Sequence, residues 1–166
     1  GTAMRFRQRG GPIGTTTTAR IKQFVRTAAA QTAARTGRRR LVGVEQDVLA
    51  ELGRLRHKLP QVQGLLVASA DGLLVAEDAA GVEAETMAAM SAAYLGLAQQ
   101  IARGADYGEF QETVTRAAGG YVATFAAGTH ALLTVLADAG INLGLLHHEA
   151  RPVATRVGEL VAAGQE

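Results

Sequence analysis

"LVASADGLLVAE", residues 66 to 77, reads as a β-hairpin with Asp71-Gly72 at its tip, yet it is apolar on both faces. A ribbon with one side in water alternates apolar and polar residues. Here Leu65 and Val67 fall on one side and Leu66 and Ala68 on the other, so neither side is polar. Such a strand pair, Gly64 to Ser69 and Leu73 to Asp78, belongs inside a sheet covered on both faces, with helices above and below.

On the N-terminal side of the hairpin, Leu41, Val44, Val48, Leu52, Leu55 and Leu59 recur at spacings of three and four. This is one stripe of an amphipathic helix, stopped by Pro60. On the C-terminal side, Phe110 to Ala117, Tyr121 to Ala127 and Ala131 to Ala137 are joined by Gly119-Gly120 and Gly128-Thr129, the pattern of an antiparallel meander. The first of these strands overlaps "EFQETVTR", whose charges suit a sheet edge.

Between hairpin and meander, Glu83 to Arg103 forms a second helix with Gly104 as its C-cap. Met87, Met90, Tyr94, Leu97 and Ile101 make one stripe, and Ala88, Ala89, Ala92, Ala93 and Gly96 keep much of the remaining circumference small and apolar. The stripe taken alone reads as the core face. With small residues opposite it, two faces are buried, one on the sheet and one on another protein surface. The last helix, Asn142 to Ala163, carries Pro152, which is expected to kink or split it.

The whole chain has 166 residues, 48% of them hydrophobic, enough for one domain with a sizeable core. Cysteine is absent, as is any apolar run of membrane-spanning length, and the N-terminus shows no secretory signal, so the expected location is the cytoplasm. A net charge of +2 conceals a division: residues 1 to 40 carry +10 with no acid, and the remainder carries −8. The chain thus divides into a basic arm, residues 1–40, and a body, residues 41–166. Gly1 to Ala3 read as a cloning remnant. Ile21, Phe24, Val25 and Ala28 then share a weak apolar helix face flanked by Arg20, Lys22 and Arg26, and the arm closes with Arg35, Arg38, Arg39 and Arg40. Contact with anionic membrane, nucleic acid or an acidic protein surface, and a role as a solubilising tail, all stay open for it.

Three stretches together, "LPQVQGLLVASADGLLVAE", "AAYLGLAQQIAR" and "GGYVATFAAGTHALLTVLADAGINLGLL", resemble the roadblock/dynein light-chain family over about residues 41 to 164. The resemblance implies an α+β fold, a three-layer α/β/α arrangement with a five-stranded antiparallel sheet of the profilin/longin type. One helix covers one face and two the other. It also implies homodimers that pair second helices and edge strands, and association of bacterial members with Ras-like small GTPases as regulators or scaffolds. The dimer interface expected here consists of Met87, Met90, Tyr94, Leu97, Ile101, Glu112, Val114 and Arg116. If two copies of "EFQETVTR" pair antiparallel about Val114, Glu112 of each meets Arg116 of the other.

Chemical signatures are missing from the sequence. There is no G-x-x-x-x-G-K-[ST] phosphate loop and no G-x-S-x-G nucleophile elbow. Ser69-Ala70-Asp71-Gly72 reads as a turn. His147-His148-Glu149 reads as a solvated helix face, because adjacent helical side chains point about 100° apart and cannot share a metal. Asp138 and Glu149 have nothing in the sequence to bring them together as acid and base. The expected function is a non-catalytic, homodimeric module without cofactor that regulates or tethers a small GTPase. The alternatives are a structural adaptor held at a membrane or acidic surface by its arm, and nucleic-acid binding through the arm.

Overall fold

A computed structural model describes residues 42 to 165. The basic arm, with the readings attached to Arg20, Lys22, Arg26, Arg35, Arg38, Arg39 and Arg40, lies outside the described residues, as does Leu41. The described chain runs α1 (Val42–Lys58), β1 (Val62–Ser69), β2 (Leu74–Ala79), α2 (Ala84–Gly104), β3 (Glu112–Ala117), β4 (Gly120–Ala127), β5 (Ala131–Asp138) and α3 (Leu143–Ala163). This is the expected order of helix, two strands, helix, three strands, helix.

All strand pairings are antiparallel, in the order β2-β1-β5-β4-β3. The return from β1 to β2 is a tight turn in which Gly72 adopts φ +93°, a left-handed conformation that favours glycine. There the Ser69 amide donates to the Leu73 carbonyl at 2.8 Å, and the Ser69 hydroxyl accepts from the Leu73 amide at 3.0 Å and donates to Asp71. Ser69 and Asp71 are therefore turn residues. The hairpin as a whole is less enclosed than its composition implies. β1 lies between β2 and β5, whereas β2 is one edge of the sheet, and β3 is the other edge, as its charges predict.

Strand alternation sends Leu65 and Val67 to one face and Leu66 and Ala68 to the other, and all four are fully buried. On the first face they meet Val48, Leu52 and Leu55 of α1 and Leu146, Val153 and Val157 of α3, with Phe125, Leu133 and Val135 completing the layer. On the second face Leu66, Ala68 and Leu132 pack beneath Ala88, Ala92 and Leu95 of α2. Helices on both sides exclude water from the apolar hairpin strand.

One helix end and one helix interior differ from expectation. Gly104 is the last helical residue of α2, and Ala105 is its C-cap, in the ordinary right-handed region. The left-handed residue comes one step later, at Asp106 with φ +59°. In α3 the Asn142 side chain accepts from the Leu145 amide at 3.0 Å, a conventional N-cap, and the helix continues through Pro152 without splitting. Proline removes the amide that would bond the His148 carbonyl. His148 and Pro152 are both exposed, so water can satisfy the freed carbonyl.

α3 comes unusually close to the sheet at Gly158, where an added Cβ would lie 2.6 Å from the Ala127 carbonyl carbon. Backbone cannot yield as a flexible side chain does, so helix and strand must separate to admit even a methyl group. Gly158→Ala is expected to lower stability by about 1–3 kcal/mol despite alanine's better helix propensity. Thermal or urea unfolding measures this, and an unchanged midpoint would show that the contact relaxes freely.

Candidate functional site

α2 reverses the usual assignment of large residues to the core. Its buried positions are Ala84, Ala88, Ala89, Ser91, Ala92 and Leu95, nearly all small. The large stripe faces outward: Met90 is 40% exposed, Tyr94 43%, Leu97 56% and Ile101 65%, while Met87 is half-buried. The reading of the stripe as the core face is therefore corrected. Small side chains let the helix lie near the sheet, leaving the large ones directed away from it.

Ser91 helps to seat the helix. Its hydroxyl accepts from Thr134 at 3.1 Å, and Thr134 lies 3.3 Å from the Thr124 hydroxyl, all three side chains being buried. Buried hydroxyls are costly unless paired, and this chain pairs them across helix and sheet. At the outer side, the Tyr94 phenol lies 3.2 Å from the Thr113 hydroxyl of β3. Hydrogen bonds from Thr113 and then Thr115 hold the phenol below its ordinary pKa. The α2 stripe and the β3 edge thus form one continuous surface joined at Tyr94.

Along β3, Thr113 and Thr115 face α2, whereas Glu112 and Val114 face α3, and alternation places Arg116 with the latter. Glu112 is not the free edge charge that the sequence implies. Arg151 of α3 donates to both its carboxylate oxygens, at 2.8 and 2.6 Å, and His147 Nδ1 lies 3.0 Å from Oε1. The Arg151 hydrogen bonds hold the Glu112 carboxyl below its usual range, opposed by partial burial and assisted by the charge of His147. The same pairing raises Arg151.

His147 also corrects the expectation of a solvated histidine pair. It is half-buried with its ring edge-on to Phe125, centroids 5.8 Å apart, and its buried Nδ1 approaches Glu112 without a well-formed hydrogen bond. His148, one step round the helix, is exposed. The i, i+4 spacing of His147 and Arg151 marks a shared helix face in the sequence, but nothing local points from there to Glu112. Asp138 and Glu149 have separate partners: Asp138 accepts from the Gly140 amide, and Glu149 pairs with Lys58.

A shallow cleft of about 280 Å³ opens where β3 begins, lined by Phe110, Gln111, Phe125, Arg151 and Thr155 among others. Among the described residues no group of three or more His, Asp and Glu side chains is placed to hold a metal ion, and no helix is long and apolar enough to cross a membrane. The distinctive surface is therefore the apolar stripe of α2 beside the open edge of β3.

The family model described as the Roadblock/LC7 domain matches residues 48–137. The chain belongs to the Roadblock/LC7 family. Its fold is similar to that of MglB in a tetrameric arrangement, with a TM-score of 0.67 and 19% identity over 73% of this chain and 92% of that one. The gliding protein MglB of Thermus thermophilus gives a TM-score of 0.65 and 19% identity, covering 70% of this chain and 90% of its own. A Roadblock/LC7 domain from Streptomyces avermitilis gives 0.62 and 21%, covering 66% and 93%. A comparison with curated proteins finds no match.

The clamp on Glu112 has a pH signature. Its pKa is depressed on folding, so its stabilising contribution is complete above the ordinary glutamate value of 4.5 and disappears as pH falls through the lowered folded value. Glu112→Gln is expected to lose this contribution near neutral pH and to converge with wild type in acid. Unfolding midpoints measured across the acid range check it, and a variant with the same pH profile as wild type would show that the clamp contributes nothing.

Proposed function

We propose that this Roadblock/LC7 protein is a non-catalytic, homodimeric regulatory or scaffold module of the cytoplasm that binds and modulates a Ras-like small GTPase. The observation that carries self-association is the outward face of α2. Met90, Tyr94, Leu97 and Ile101 present large apolar side chains to water in succession, an arrangement that marks an association surface. β3 beside it offers an unpaired row of backbone donors and acceptors. Two copies joined about Val114 convert two five-stranded sheets into one of ten strands while the α2 stripes meet alongside. Glu112 is already held by Arg151 and His147, so the backbone ladder and the helix seam supply the affinity in this pairing. The tetrameric arrangement of MglB supports self-association as a property available to this fold.

The GTPase partner rests on family membership and on the association that the family resemblance implies for bacterial members. A paired-helix platform needs no catalytic side chain to regulate such a partner, since tighter binding to one conformation of its switch loops shifts the population towards that conformation. Met90→Glu and Tyr94→Arg each place a charge in the desolvated seam and are expected to convert dimer to monomer in light scattering. A folded variant that stays dimeric would refute the α2 interface. For the partner, the wild-type chain is expected to capture a Ras-like GTPase in nucleotide-loaded pull-downs and to hydrolyse no nucleotide alone. Turnover by this chain by itself would overturn the regulator reading.

A further inference from the structure

Of the seven arginine and lysine side chains among the described residues, six hold a carboxylate of their own chain. Arg116 is the exception. It is exposed on the edge strand, and the carboxylate that strand pairing would bring to it, Glu112 of a second copy, is already occupied by Arg151 through two bonds and approached by His147. On a body whose net charge is −8, Arg116 thus adds an unpaired positive charge to the α3-facing side of the open edge, beside Arg151, whereas the other local excess, Arg54 and Arg156 sharing Glu51, lies between α1 and α3.

We propose that the dimer carries an anion-reading strip across its two-fold axis, built from Arg116 and Arg151 of both copies, and that its ligand is an extended acidic segment of a partner protein. The inference rests on the edge pairing proposed above, because one copy supplies only half of the strip. With the axis at Val114, four guanidiniums stand against two carboxylates. The two copies of Arg116 lie on one face of the joined sheet, four positions apart along the paired strands. That separation is roughly 14 Å, the span of about four residues of extended chain. Arg151 uses Nε and one Nη on Glu112, and its side chain is 61% exposed, so its remaining donors point to solvent. The cleft at the start of each β3, with Phe110 and Phe125 beside Gln111 and Thr155, adjoins the strip and accepts an apolar side chain flanking the acids. The ligand this geometry selects has two acidic residues four positions apart in extended conformation.

Two labelled peptides test the strip by fluorescence polarisation against the full chain: one with two glutamates four positions apart in an otherwise uncharged sequence, and an isomer with the glutamates adjacent. The basic arm attracts both alike, so preference between them isolates the strip. The wild-type dimer is expected to bind the spaced peptide about threefold to tenfold more tightly, a range set by two solvent-accessible ion pairs. Arg116→Gln is expected to abolish the preference while remaining dimeric in light scattering. Equal affinity for the two peptides in a dimeric wild type, or a preference that survives Arg116→Gln, overturns the strip alone. A monomeric wild type overturns the edge pairing and the strip with it. A single-stranded oligonucleotide whose binding is lost in Arg116→Gln, with no peptide preference, assigns the strip to nucleic acid and overturns the acidic-peptide ligand.

Discussion

Everything in this fold depends on two strands, β1 and β5, that are buried on both faces. Leu65, Leu66, Val67 and Ala68 of β1 and Leu132, Leu133, Thr134 and Val135 of β5 are all fully inaccessible. A two-layer arrangement would bury only one face of such strands and leave the other apolar face in water. Coverage must come from both sides, and the chain has three helices to provide it. α1 and α3 share one face and α2 covers the other. The connections follow, since β5 must enter between β1 and β4 for the two central strands to lie side by side.

The two faces are filled by different means, and the difference is what leaves a stripe of large apolar side chains exposed. Beneath α1 and α3 the gap is filled by leucine, valine and phenylalanine from both layers. Beneath α2 the helix supplies mainly alanine, with Ser91 joined to Thr134 and Thr124 in a buried hydroxyl chain. A helix that seats its small residues on the sheet has no room below for methionine, tyrosine or isoleucine. Those side chains are left on the outer face, where only another macromolecular surface can remove them from water.

The sequence reveals the fold well for the same reason that it misleads about α2. Periods of two and of three to four residues identify strands and helix faces directly, and the stripe from Val48 to Leu59 is buried as read. The polar composition of β3 correctly marks an edge, because an interior strand could not carry Glu112 and Arg116. For α2, periodicity defines the faces without saying which one lies inward: the large stripe taken alone reads as core, and only the small residues opposite it point to the arrangement observed, with the small face on the sheet. The Glu112 clamp is legible only in three dimensions. His147 and Arg151 are 35 and 39 positions away in the chain, and their approach depends on how α3 crosses β4. Pro152 shows the converse, a strong local signal outweighed because its lost hydrogen bond faces water.

An open strand edge is ordinarily a hazard, since any further edge can add to it. Here the two edges of the sheet are unlike each other, and that asymmetry bears on how the association proposed here would end. β3 is anchored to α3 by the bidentate Arg151–Glu112 pair and to α2 through Tyr94, so it presents a fixed ladder. β2, at the opposite edge, carries the adjacent acids Glu77 and Asp78, and Arg56 of α1 reaches across to Asp78 at 3.2 Å. Charged side chains on an edge strand disfavour its pairing with another edge. Pairing through β3 about a two-fold axis uses both available β3 edges and leaves a β2 strand at each end. In the pairing proposed here the ten-stranded sheet would end in two charged β2 edges, and the acids of β2, more than the charges of β3, would limit its further growth.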